Sequence, residues 1–254
     1  MLHNIDMSVL LSGDFHGNAV GELSILTKKY LRSKYGTEKY KTINYHIILG
    51  DGGFLWPGNE RIDAYNYRVL AYRPFPVLSV IGNHEPMLGM TLPEEDIGIG
   101  EKVYLVKEKK PLIAYLKRGK VYHIDGFKFL VMGGALSIDQ EYRIPGRSWW
   151  KEEYWSPREE ADLFELLASD SEFDYVLTHT GPDSINFKLF NSFFSGSPKF
   201  TDEVAKLNDK VDARISCKGW FCGHWHQDRL YDYEDDEKKR SFRYLYRDVE
   251  LLEH

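Results

Sequence analysis

The sequence predicts an α/β fold whose parallel strands carry polar side chains at their carboxyl ends. Three observations point there. Short apolar runs repeatedly stop at Gly, Asp, Asn or His; helix-spaced apolar residues separate the first two runs; and 43% hydrophobic with 15% aromatic residues over 254 positions supplies a sizeable core.

In chain order, Met7–Leu11 runs into Ser12-Gly13-Asp14, His46–Leu49 into Gly50-Asp51-Gly52, and Val77–Ile81 into Gly82-Asn83-His84. Tyr175–Leu177 runs into Thr178-His179-Thr180, and Trp220–Cys222 into Gly223-His224-Trp225-His226. Each reads as a buried strand ending in a tight polar turn. Between the first two, Leu23, Leu26, Tyr30 and Leu31 recur at helix spacing, with Asn18 as the expected N-cap. A second helix is expected over Asn59–Tyr72. A third starts near Pro157 with Leu163, Phe164 and Leu167 on one face. Strand, helix, strand in that order implies parallel pairing, and ligands collect beyond the carboxyl ends of such strands.

The second half carries hairpin signals. Val121–Ile124, Asp125-Gly126 and Phe127–Met132 form the Asp-Gly pattern of a two-residue turn. Arg229–Tyr233 and Phe242–Tyr246 flank the charged stretch Asp235–Arg240, which predicts a second hairpin with a solvated tip. Met87–Lys120 yields no assignment. No internal repeat or flexible linker interrupts the chain, so one domain over 1–254 is expected, folded around one site.

The net charge of -6 argues against broad nucleic-acid binding, and Lys107–Lys110 and Lys117–Lys120 read as solvated surface. Cys217 and Cys222 lack the paired CxxC pattern of structural zinc and read as buried thiols. Two cysteines, no bilayer-length apolar run and no secretory signal over Met1–Asp6 lead to a cytoplasmic expectation. Oligomeric state leaves no trace in the sequence.

The strand-end residues form a ligand set. Asp14 and His16 lie one residue apart, Asp51 is a carboxylate able to bridge two cations, and Asn83 offers an amide oxygen. His179, His224 and His226 add three imidazoles. Mixed Asp, His and Asn donors suit Mn, Fe or Zn better than Ca, which prefers oxygen alone. Two divalent ions against two carboxylates leave about +2, or about +1 with a bridging hydroxide, which still attracts a phosphate dianion. Five of the nine histidines fall at such strand ends. His3, His46, His123 and His254 do not, and Asp6, Asp63 and Asp125 read as turn or surface residues.

Taken together, GDFHGN, GDGG, GNHE, THTGP and GHWH resemble the five signature blocks of the calcineurin-like metallophosphoesterase superfamily, in order, over residues 13 to 226. The resemblance implies a four-layer α/β/β/α sandwich of two mixed β-sheets flanked by helices. It implies that Asp14, His16 and His226 hold one metal, that Asn83, His179 and His224 hold a second, and that Asp51 bridges them. His84 matches the family's catalytic histidine, which contacts the substrate phosphate or protonates the leaving oxygen. Two divalent ions are implied (Mn first, then Fe, Zn, Ni or Co), with a metal-bridging hydroxide attacking a phosphoester in line.

The second block departs from the GDYVDRG form of protein serine/threonine phosphatases. Gly50-Asp51-Gly52-Gly53-Phe54 lacks both the acid that orients the histidine and the phosphate-binding arginine. That argues against phosphoprotein phosphatase activity and leaves His84 without an identified partner. Gly133–Asp139, followed by Arg143 and Trp149-Trp150, resembles a stretch of small bacterial and phage members. Arg143 is the candidate for the missing phosphate contact, with a surface ion pair as the alternative. Trp149, Trp150 and Trp155 read as core or lid packing rather than a base-stacking platform.

A phosphomonoesterase is favoured over a phosphodiesterase or nuclease, and an inactive scaffold is the alternative of another class. The HxE and PCxxC pair of zinc deaminases and the GxxxxGK[ST] loop are absent. Ester preference rests on Met87–Lys120 and Ser184–Lys210, which carry no readable pattern.

Overall fold

The computed structural model describes residues 7–16, 26–54, 73–85, 92–108, 111–194, 202–234 and 239–254. The expected helix over Asn59–Tyr72 lies outside them, as do Asn18, Leu23, His3, Asp6 and Asp63.

The described residues open with β1 (Ser8–Ser12), the short helices α1 (Lys28–Tyr35) and α2 (Thr37–Thr42), and β2 (Ile43–Ile48). Strands β3 (Val77–Ser79), β4 (Glu94–Glu95), β5 (Val103–Lys107) and β6 (Ile113–Leu116) follow, then β7 (Lys120–Ile124) and β8 (Phe127–Val131). The rest comprises α3 (Pro157–Ser169), β9 (Tyr175–Leu177), α4 (Asp183–Phe194), α5 (Glu203–Asp212) and β10 (Gly219–Cys222). It ends with β11 (Arg229–Glu234), β12 (Lys239–Tyr244) and β13 (Val249–Glu253).

Among the described residues these strands form two mixed sheets, ordered β13-β1-β2-β3-β6-β5-β4 and β11-β12-β10-β9-β8-β7. The motif-bearing strands are parallel neighbours: β1 with β2 and β2 with β3 in one sheet, β9 with β10 in the other. Period-two alternation explains the layering. Val9, Leu11, Ile47 and Leu78 of the first sheet meet Phe129, Val131, Leu177 and Phe221 of the second in a central core. Leu10, Ile48, Val77 and Tyr115 point the other way and pack with Leu31 of α1. Leu130, Val176, Trp220 and Phe242 pack under Leu163 and Leu167 of α3 and Val204 and Leu207 of α5. Four layers result, as the resemblance implied.

Local signals account for most boundaries. Helix α3 begins with Pro157 behind a capping box, in which Ser156 accepts from the Glu159 backbone and the Glu159 side chain returns to Ser156. Leu163 and Leu167 are its buried face. The Asp125-Gly126 turn takes φ of 55° and 82° and pairs Ile124 with Phe127, the backbone a two-residue hairpin needs. Strands β11 and β12 pair antiparallel as expected, while the tip residues 235–238 lie outside the described set. Helix α1 differs from expectation: it starts at Lys28, where the Thr27 hydroxyl accepts from Tyr30 N at 3.2 Å and caps it. Leu26 is buried just before that cap. Within the unassigned Met87–Lys120 segment, β4, β5 and β6 extend the first sheet beside β3. Among the described residues no helix is long and apolar enough to cross a membrane.

Candidate metal centre

Both sheets deliver side chains to one place. Asp14 and His16 follow β1, Asp51 follows β2, and Asn83 and His84 follow β3. From the second sheet, His179 follows β9, and His224 and His226 follow β10. The turns are strained: His16, Asp51, His224 and His226 have φ between 46° and 65°. They are four of the five non-glycine residues with positive φ among the described residues, the fifth being the hairpin residue Asp125. Such backbones cost on the order of 1–3 kcal/mol each and persist where surrounding structure dictates them. Asp51 O does part of that, accepting from His16 N at 2.8 Å and Phe15 N at 3.3 Å.

Each aspartate is used asymmetrically. Asp14 is buried; its Oδ2 accepts from His224 N at 3.0 Å, while its Oδ1 has no hydrogen-bond partner. Asp51 is buried likewise; its Oδ1 accepts from His84 N at 2.9 Å, and its Oδ2 has none. The two bare oxygens face imidazoles. Asp14 Oδ1 lies 3.2 Å from His226 Nε2 and 3.5 Å from His16 Nε2. Asp51 Oδ2 lies 3.3 Å from His179 Nε2 and 3.8 Å from both His16 Nε2 and His84 Nε2.

Proton counting shows what these atoms lack. The Leu49 carbonyl can only accept, so the 2.8 Å contact puts a proton on His179 Nδ1. His179 Nε2 then presents a lone pair to Asn83 Oδ1 at 2.9 Å and to Asp51 Oδ2, both acceptors. His16 Nε2 and His226 Nε2 stand 2.7 Å apart, a hydrogen bond when one of the two rings carries its proton there. A positive charge at His179 Nε2 resolves the conflict of that ring. Burial lowers the His179 pKa, but the Asp51 carboxylate outweighs it and lifts the group to about 9. Burial likewise favours the neutral form of Asp51, yet His179, His84 and His16 hold its carboxyl well below the usual range. A divalent cation fits where that proton would sit, and the donor set suits one. Three groups bring their ligand atoms within 4.8 Å of one another: Asp14, His16 and His226; His16, Asp51 and His84; Asp14, Asp51 and His179. His224 belongs to none of them. It packs edge-on to His179 at 5.0 Å between ring centroids, and burial beside that ring lowers its pKa well below the ordinary value.

A family model for calcineurin-like phosphoesterase matches residues 7–228, a span that contains all of these residues. The chain belongs to that family. No curated protein matches it.

Beyond the ligand-type residues, this calcineurin-like phosphoesterase surrounds His84 with a partner the second motif lacks. Arg143 places Nη1 3.0 Å from His84 Nδ1 and Nη2 3.0 Å from His84 Nε2. A neutral imidazole accepts through one nitrogen only, so one of these contacts is a hydrogen bond at a time. Burial, joined by the charges of His16 and Arg143, lowers His84 to about 4 against the pull of Asp51. Asp139 Oδ1 accepts from Arg143 Nε at 2.6 Å and the Ser148 carbonyl accepts from Nη1 at 3.2 Å, which fixes the guanidinium. Arg143 thus makes an ion pair with Asp139 and turns its other two nitrogens to His84.

Three residues escaped the sequence reading. Glu85, buried, accepts from Gly52 N at 2.8 Å and from Gly82 N, tying the second and third motif turns together. Burial and the nearby Asp51 raise its pKa to about 8. Ser137 Oγ accepts from Asn83 Nδ2 at 3.0 Å and donates to Glu153 Oε2 at 2.6 Å. The buried Glu153 thereby sets the hydroxyl, and the hydroxyl turns the Asn83 amide so that Oδ1 faces His179. Only the final Glu of GNHE was visible in a motif, and nothing local linked Ser137 to Glu153. Trp155 is core, donating from Nε1 to Gly133 O at 2.8 Å. Cys217 and Cys222 are buried and form no disulfide.

Proposed function

We propose that this chain is a dinuclear-metal-dependent phosphoester hydrolase with a preference for phosphomonoesters. The observation that carries the reading is the pair of buried, unpartnered oxygens, Asp14 Oδ1 and Asp51 Oδ2, ringed by histidine Nε2 atoms. In this reading Asp14, His16 and His226 hold one ion and Asn83, His179 and His224 the other, with Asp51 between them. Mn is the first choice of metal, with Fe, Zn, Ni and Co also matched to the donors. Bound there, two divalent ions supply positive charge against the phosphoryl oxygens and a water acidic enough to lose its proton near neutral pH.

The chain's own residues supply the rest. His179 is oriented through its Nδ1 by the Leu49 carbonyl and Asn83 by Ser137, so both offer lone pairs to the centre. His84, on the Asp51 side of the cluster, is placed to contact the phosphate or the leaving oxygen. Arg143 presents further N–H donors at the same spot. A monoester dianion has one more terminal charge for that guanidinium to meet than a diester has, which supports the monoester preference.

Turnover of p-nitrophenyl phosphate and of its bis ester, assayed with Mn, Fe, Ni and Zn, tests the reading. Metal-dependent hydrolysis, faster on the monoester, is expected. His84→Ala should retain its metal while losing about 10²–10⁴ in kcat. Two bound ions with no turnover of either ester would instead mark an inactive scaffold, and faster turnover of the bis ester would reverse the preference.

A further inference from the structure

A cavity of about 380 Å³ opens beside the proposed metal centre, lined by His226, Gln227, Asp228, Arg229, Tyr246 and Arg247. His226 belongs to both, since its Nε2 lies 3.2 Å from Asp14 Oδ1 while its ring stacks on Tyr246 at 4.9 Å and 9°. The walls come from the turn after β10 and the turn between β12 and β13. Asp228 fastens the two: its carboxylate accepts from the backbone N–H groups of Tyr246 at 2.9 Å, Arg247 at 3.2 Å and Asp248 at 3.0 Å.

The only carboxylate among its lining residues points its oxygens at these three backbone N–H groups, and it stands against two arginines. The two guanidiniums are not spent on carboxylates: Arg229 Nη1 donates to the Asp228 carbonyl at 3.1 Å, and Arg247 lies over the Tyr246 ring at 5.4 Å. Neither makes an ion pair among the described residues, and both are exposed. In a chain of net charge -6, a lining with two arginines against one aspartate carries a local positive excess that favours an anion.

We propose that this cavity is a subsite for a second phosphate, so that the substrate is a small phosphoester carrying one phosphate over the metals and another between Arg229 and Arg247. The assignment rests on the phosphoesterase reading above for its first phosphate. The cavity is sized for a sugar–phosphate or nucleotide portion and holds two cationic side chains rather than a long basic track, which favours a small bisphosphate over a polynucleotide.

The test separates the two readings. Wild-type turnover of p-nitrophenyl phosphate, which has no second anion, reports the hydrolase alone. The subsite is read by calorimetric titration of the metal-loaded full chain in the slowed His84→Ala background. Adenosine 3′,5′-bisphosphate is compared with adenosine 3′-monophosphate and 5′-monophosphate. The bisphosphate should bind about tenfold more tightly than either, the scale of one charge-assisted contact. Arg229→Gln combined with Arg247→Gln should bring the three ligands to within about twofold of one another. Equal binding without the double substitution, or a preference that survives it, overturns the subsite whether or not p-nitrophenyl phosphate is hydrolysed. Tighter arginine-dependent binding of a DNA oligonucleotide than of the bisphosphate overturns the small-molecule assignment.

Discussion

At the scale of single residues, the centre is set by which atom of each group is already occupied. Asp14 and Asp51 each give one oxygen to a backbone N–H and keep the other bare. Asn83 is polarised from behind, because the Ser137 hydroxyl donates to Glu153 and its oxygen accepts from the Asn83 amide. Ser137→Ala removes that constraint without touching a ligand. Its affinity for Mn, titrated calorimetrically, should fall by about 10–100-fold, as for other residues behind metal ligands. Ser137→Thr, which keeps the hydroxyl, should lose much less, and equal affinity in Ser137→Ala and the unsubstituted chain would remove Ser137 from the account. The aspartates, histidines and Asn83 were legible in the sequence, since each falls in a short polar turn at the end of an apolar run. Ser137 and Glu153 were not: sixteen residues separate them, and their link exists only once the loop after β8 folds over Asn83.

At the scale of elements, the working parts are the turns that end the strands. Gly82 shows how closely they pack: a Cβ there would stand 2.0 Å from Asp51 Oδ1 and 2.5 Å from Asp51 N. Gly82→Ala must push the Asp51 turn away and weaken the Glu85 bridge between the second and third motifs. Overpacking of this kind costs about 1–3 kcal/mol, so a melting temperature lowered by several degrees together with loss of bound metal is expected. An unchanged melting temperature and metal content would show that the two turns are not in contact. Strands, hairpins and α3 were readable because alternation, the Asp-Gly turn and the Ser156–Glu159 box are local signals. The β4–β6 extension was not: Glu94–Glu95 is short, exposed and without apolar alternation, and the parallel pairing of β6 with β3 leaves no local mark. The positive φ values of His16, Asp51, His224 and His226 were also hidden, since tertiary contacts rather than glycine impose them.

At the scale of the whole molecule, the proposed ligands divide between the sheets. Asp14, His16, Asp51 and Asn83 come from the first, and His179, His224 and His226 from the second. The central core of Val9, Leu11, Ile47, Phe129, Leu177 and Phe221 holds the two sets of strand ends in register. A cation bound between them therefore stabilises the packing of sheet on sheet as well as the site. The family match over residues 7–228 spans both sheets, although its order of motifs says nothing of which bare oxygen meets which ring. That these oxygens and rings together hold two ions is the central claim, and elemental analysis after reconstitution with Mn and removal of unbound metal tests it most directly. The account predicts two ions per chain, falling to one or fewer in Asp51→Asn. No transition metal above background in the unsubstituted protein, or two ions retained in Asp51→Asn, would contradict it.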